Sequence, residues 1–109
     1  MANRDPLFDI TGKTAIVTGA SSGLGEVFSN IFAERGANLV LAARRTERLE
    51  EVAGKIIQGG GNAIAVSCDV GDAAQVKQMV ATAAEHFGRV DILVNNAGQV
   101  ADGGPVPER

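Results

Sequence analysis

No tryptophan and no tyrosine occur among the 109 residues, and four phenylalanines are the whole aromatic content. One cysteine, Cys68, rules out a disulfide within the chain. Its thiol reads as a small buried hydrophobe at a strand end, and a reducing, cytoplasmic setting is the expectation. No apolar run approaches the roughly 18 residues that a membrane helix needs. The opening "MANRDPLFDITGK" has neither a long apolar stretch nor a small-residue cleavage site, so no secretory signal is expected. A net charge of −3 argues against the basic stripe that nucleic-acid binding wants. What is present is ordinary: 45% hydrophobic residues, enough for one small folded domain and too few residues for two.

Four short apolar runs alternate with three helical patterns. "TAIVTG" (14–19) is β-branched and ends on glycine, as a buried strand does. A helix is predicted from about Gly23, with Val27, Phe28, Ile31 and Phe32 on one face and Gly36 as its stop. "NLVLAA" (38–43) is the second strand. Over 46–61, Leu49, Val52, Ala53 and Ile56 recur at helical spacing before a run of glycines. "AIAVSC" (63–68) is the third strand. Asp72 and Gln75 have the spacing of a capping box, opening a helix with Val76, Met79, Val80, Ala83 and Phe87 on its face and Gly88 at its end. "DILVNN" (91–96) is the fourth strand, and a polar tail rich in glycine and proline follows.

Strands alternating with helices, the strands continuously apolar, predict an α/β fold: a Rossmann-type doubly wound parallel sheet in the order 3-2-1-4. The first two helices belong on one face and the third on the other. One helix cannot cover the second face of four strands, and strand four is left as an open apolar edge. The chain is therefore expected to be a piece of a larger domain, residues 1–98 forming the first half and 99–109 beginning a loop. Alone, it is expected to aggregate or dimerise.

"GASSG" (19–23) matches G-x-S-x-G, the turn that carries the nucleophile in α/β-hydrolases. That reading makes Ser21 a nucleophile and needs a downstream acid and histidine, with an oxyanion loop from an earlier strand. No earlier strand is expected in the polar segment before the first, and the single histidine, His86, falls in the last turn of a helix, where it complements the dipole. The alternative is a phosphate cradle. The carboxyl end of strand one is where the strand order reverses, and a helix beginning near Gly23 aims unpaired N–H groups and a positive dipole end at it.

The longer string "TGASSGLG" resembles the T-G-x-x-x-G-x-G fingerprint of the short-chain dehydrogenases/reductases. "NNAG" (95–98) is similar to the family's second motif, "CDV" (68–70) to its adenine-contacting segment, and "LFDITGKTAIVTG" to its N-terminal approach. Three motifs in the right order make the resemblance specific, and it covers essentially the whole chain. It implies that Gly19, Gly23 and Gly25 form the cradle, with Leu24 donating its backbone N–H near the pyrophosphate. Asp69 would accept from the adenine amino group while Val70 packs on the ring. Asn95 and Asn96 would bridge strand and loop, and Asn96, Ala97 and Gly98 would wall the cofactor.

The end of strand two decides between nicotinamide cofactors, an acid serving NAD and an arginine NADP. Here it reads "LAARRTER", with Ala43 in the acid's place and Arg44 and Arg45 next. A guanidinium fork suits phosphate, so NADP(H) is the expected cofactor, NADPH over NADH, with Arg44 as main ligand and Ser21 assisting. Ser22 stands where many NADP-preferring relatives carry a second basic residue.

The family's reaction is hydride transfer between nicotinamide and a carbonyl or alcohol, with the proton supplied by a tyrosine in Y-x-x-x-K. This chain has no tyrosine, and Lys13, Lys55 and Lys77 all precede strand four. No catalytic residue is assigned, and the chain alone is expected to be inactive. Two readings follow. In one, it is the cofactor-binding half of an NADP(H)-dependent oxidoreductase of small molecules, a dimer or tetramer when complete. In the other, it is a non-catalytic nucleotide-binding module that needs a partner chain.

Overall fold

A computed structural model of the chain describes residues 10–96. Its elements run β1 (Thr14–Thr18), α1 (Gly23–Glu34), β2 (Asn38–Ala43), α2 (Glu47–Gln58), β3 (Asn62–Ser67), α3 (Ala73–Phe87) and β4 (Ile92–Asn95). All five residues of β1 are buried, as a strand covered on both faces requires. The strands pair in parallel in the predicted order, β3-β2-β1-β4. Val17, at the centre, lies beside Leu41 on one side and Val94 on the other.

Successive side chains of the strands point to opposite faces and split the core in two. On one face Ala15, Val17, Leu39 and Leu41 pack with Leu49, Val52 and Ile56 of α2, and Phe28 and Phe32 of α1 close over them. On the other, Ile16, Val40 and Ala42 meet Met79 and Ala83 of α3. The four positions predicted for the inner face of α2 are all buried. That helix stops at Gln58, short of the predicted limit, because Gly60 and Gly61 turn back to donate to the Ile57 and Ile56 carbonyls.

Two helix faces differ from the periodicity. In α1, Val27 is 50% exposed and Ile31 is exposed too, whereas Gly25 and Ser29 are buried. The helix lies so close to the end of β1 that only small residues fit beneath it, and Ser29 returns its hydroxyl to the Gly25 carbonyl at 2.8 Å. In α3, Met79 and Ala83 are buried while Val80 is exposed. Asp72 caps this helix, accepting from the N–H groups of Ala74 and Gln75 at 3.0 and 3.4 Å. The Gln75 side chain does not reach back to the cap's own N–H, as a capping box would have it; Oε1 accepts instead from the Asp69 N–H. Gly88, in the left-handed region at φ +83°, ends α3 where a side chain would be strained. Edge strand β4 leaves Leu93 58% exposed.

At the opposite end of the sheet from the glycine string, Asp91 ties β4 to β1. Its N–H donates to the Thr14 carbonyl, its carboxylate accepts from the Thr14 N–H at 2.9 Å, and Arg89 forks onto it at 2.7 and 2.9 Å. The Arg89 guanidinium, then the Thr14 N–H, hold this carboxyl below its ordinary value. A folded-state value depressed in this way gives stability that is complete above the unfolded value, near pH ~4, and fades as pH falls through the folded one. Urea midpoints measured across acidic pH should therefore drop less steeply for Asp91→Asn than for the wild type; parallel curves would remove Asp91 from the linkage.

Candidate functional site

The parallel order sets the carboxyl ends of all four strands along one edge, and the site is built there. β1 gives way at Gly19, whose φ of +65° lets the chain turn sharply into α1. The Gly19 carbonyl then gathers three donors: the Ser22 N–H at 3.1 Å, the Ser22 hydroxyl at 2.9 Å and Asn96 Nδ2 at 3.2 Å. Ser22 is the N-cap of α1, and its Oγ also accepts from the Gly25 N–H at 3.1 Å and from Asn96 Nδ2 at 2.9 Å. Its hydroxyl is thus engaged within the loop. Glu26 makes the first intrahelical bond, to the Ser22 carbonyl. The N–H groups of Gly23 and Leu24 and the Ser21 hydroxyl have no partner among the described residues, and all three residues are exposed.

The two glycines that open the helix differ sharply. A Cβ on Gly25 would lie 2.3 Å from the Gly19 carbonyl oxygen and 2.7 Å from Ala20 Cα, so this glycine is demanded by packing. A Cβ on Gly23 would meet nothing within 4 Å. No described protein atom demands glycine there, and open space before a helix N-terminus suits an anion.

Asn96 closes the site from β4. Its N–H donates to Thr18 Oγ1 at 3.0 Å, and that hydroxyl faces Asn95 Oδ1 at 3.1 Å and the Val94 carbonyl at 3.3 Å. The Asn96 amide links the end of β4 to the Gly19 loop, while the Asn95 amide oxygen meets Thr18, a member of the network that the sequence reading gave no role. Its signal was available, since a threonine ending a buried strand must find partners. Ala97 and Gly98 lie outside the described residues, as does the tail.

Arg44 sits at the bend after β2, exposed, its side chain without an ion pair among the described residues; Arg45 is alike. Two cations at the start of α2 are unfavourable for its dipole, and Glu47 and Glu50 in the first turn offset them. The Arg44 carbonyl accepts from Ser67 Oγ at 3.1 Å. Arg48 is committed elsewhere, pairing with Glu26 of α1 and with Glu51 at 2.8 Å. At the end of β3, Asp69 folds one carboxylate oxygen onto the Gly71 N–H at 2.9 Å, leaving the other, while Val70 is exposed beside it. Cys68 is buried, and burial, followed by Asp69 and Asp72, pushes its thiol up, away from reactivity. His86, in the last turn of α3, meets the Phe87 ring edge-on at 4.6 Å. Among the described residues no group of three or more His, Cys, Asp or Glu could hold a metal ion.

A four-stranded parallel sheet in this order, with a glycine-lined helix N-terminus at its point of reversal, is a Rossmann-type frame. The family model described as short chain dehydrogenase matches residues 13–108, and the chain belongs to that family of oxidoreductases. It is 49% identical to the oxidoreductase UcpA of Salmonella typhimurium over 82% of this chain and 34% of that protein. The chain thus spans about a third of the length of the curated relatives it matches. Among solved structures it resembles a metagenomic short-chain oxidoreductase in complex with NADP (TM-score 0.79, 37% identity, 90% of this chain and 44% of that one). It also resembles a short-chain dehydrogenase/reductase from Burkholderia phymatum in complex with NAD (TM-score 0.75, 37% identity, 79% and 31%).

Proposed function

We propose that this chain is the dinucleotide-binding part of an NADP(H)-dependent oxidoreductase that interconverts a small carbonyl compound and its alcohol. The observation that carries the reading is the open space at Gly23, facing the unpartnered N–H groups of Gly23 and Leu24. Pyrophosphate fits that donor set, with Gly19, Ser22 and Gly25 shaping the turn and Ser21 beside it. Asp69 retains one carboxylate oxygen for the adenine amino group, Val70 offers an apolar surface to the ring, and Asn96, with Ala97 and Gly98 after it, walls the cofactor. Bound there, the dinucleotide supplies the hydride. The catalytic acid and the substrate loops belong to the part of the protein outside this chain, as does a dimer or tetramer interface. No helix among the described residues is long and apolar enough to cross a membrane, and the single buried thiol suits a reducing cytoplasm.

The choice of NADP(H) rests on Arg44, exposed and unpaired at the end of β2 where Ala43 replaces an acid. NADPH should bind more tightly than NADH. Arg44→Ala should remove that difference by weakening NADPH about 10- to 100-fold, the worth of a charge-assisted hydrogen bond or two. Titration of nicotinamide fluorescence checks both. Equal affinities in the wild type, or tighter NADH, sink the assignment.

A further inference from the structure

Arg44 stands where β2 has ended and the next helix has not begun, so no sheet ladder or helix holds its carbonyl. Ser67, the last residue of β3 and the register partner of Ala43, is placed one step short of it. The Cys68 N–H continues the ladder onto the Ala43 carbonyl at 2.8 Å, and the Ser67 hydroxyl reaches past it to the Arg44 carbonyl at 3.1 Å. A side chain thus extends the sheet by one residue and pins the peptide of a residue that is otherwise in a bend. We infer that Ser67 is a specificity-determining residue: by fixing the Arg44 backbone it aims the guanidinium at the 2′-phosphate, and so sets the preference for NADPH without touching the cofactor.

The inference rests on the proposed cofactor role of Arg44. A guanidinium fork recognises phosphate only when its plane is correctly directed, which a loose backbone spoils. A hydride donor lacking the extra phosphate does not use the fork, so loss of the Ser67 bond costs it nothing. This separates positioning from general support of the fold, which would weaken both cofactors together.

NADPH and NADH are titrated into wild type, Ser67→Ala, Ser67→Thr, Arg44→Ala and the double variant. The expected result for Ser67→Ala is about a three- to tenfold weaker NADPH affinity, the worth of one hydrogen bond, with NADH unchanged. Ser67→Thr keeps the hydroxyl and restores NADPH binding, and Ser67→Ala has no further effect once Arg44 is alanine. An unchanged NADPH affinity in Ser67→Ala, an equal loss for NADH, or an NADPH loss that persists in the Arg44→Ala background overturns the role of Ser67 alone. A wild type that binds both cofactors equally overturns the reading of Arg44 itself, and the role of Ser67 with it.

Discussion

Gly25→Ala should unfold the glycine turn rather than merely weaken it. The added methyl group would lie 2.3 Å from the Gly19 carbonyl oxygen, 2.7 Å from Ala20 Cα and 3.0 Å from the Gly19 carbonyl carbon. All three are backbone atoms, so no side chain can rotate away. Gly19 is further held by Ser22 and Asn96, and relief requires α1 to lift from the sheet, exposing Phe28 and Phe32. Overpacking of this kind costs about 2–3 kcal/mol, a large share of the stability of a small domain. The lowered urea midpoint should come with loss of dinucleotide binding. Gly23→Ala is the counterpart: with nothing within 4 Å of its Cβ, stability should stay within about 1 kcal/mol of wild type, while NADPH binding weakens. If Gly25→Ala is as stable as wild type, the close approach of α1 to β1 is wrong. If Gly23→Ala binds cofactor normally, the cradle lies elsewhere.

The second large effect is expected at Thr18, which is 2% exposed. Valine has nearly its shape, so Thr18→Val tests the hydroxyl with little change in packing. That hydroxyl accepts from the N–H of Asn96, itself buried. Removing it strands this N–H away from water and deprives Asn95 Oδ1 or the Val94 carbonyl of a donor. A buried donor left without a partner costs about 1–3 kcal/mol. Thr18→Ser keeps the hydroxyl and should fall between Val and wild type. Chemical denaturation orders the three. Amide exchange at Asn96 should accelerate in the Val variant alone. Equal stability of Val and wild type would show that the strand-to-strand bond carries nothing.

The frame was legible because strong signals agreed. Continuous apolar strands, glycines at turns and the β-α alternation predict the 3-2-1-4 sheet, and α2 shows its face openly because Leu49, Val52, Ala53 and Ile56, apolar at helical spacing, are the residues it buries. The same rule holds only in part for α1. Phe28 and Phe32 pack on the sheet, but the most deeply buried positions are Gly25 and Ser29, and a pattern of large apolar residues cannot report a contact that packs by being small. Val80 fails for a related reason: the apolar stripe of α3 is wider than the strip of sheet beneath it among the described residues. Gly19, Ser22, Gly25 and Asn96, which the motifs single out, come together in one hydrogen-bonded turn. Their division of labour was hidden, because whether a glycine faces packing or open space depends on distances that spacing does not encode. Ser67 and Thr18 were missed because each acts through a backbone group brought to it by pairing with another strand.

The hydroxyl of Ser22 turns inward, so what the turn offers a ligand is largely main chain. Main chain cannot be exchanged by substitution; a new side chain at Gly23 can obstruct the cradle, yet none can retune it. The other end of the proposed cofactor would be met by Arg44, a side chain that a single codon can replace. Descendants of such a protein would inherit the ability to hold a dinucleotide almost unaltered, while the choice between its two forms drifts from one lineage to the next.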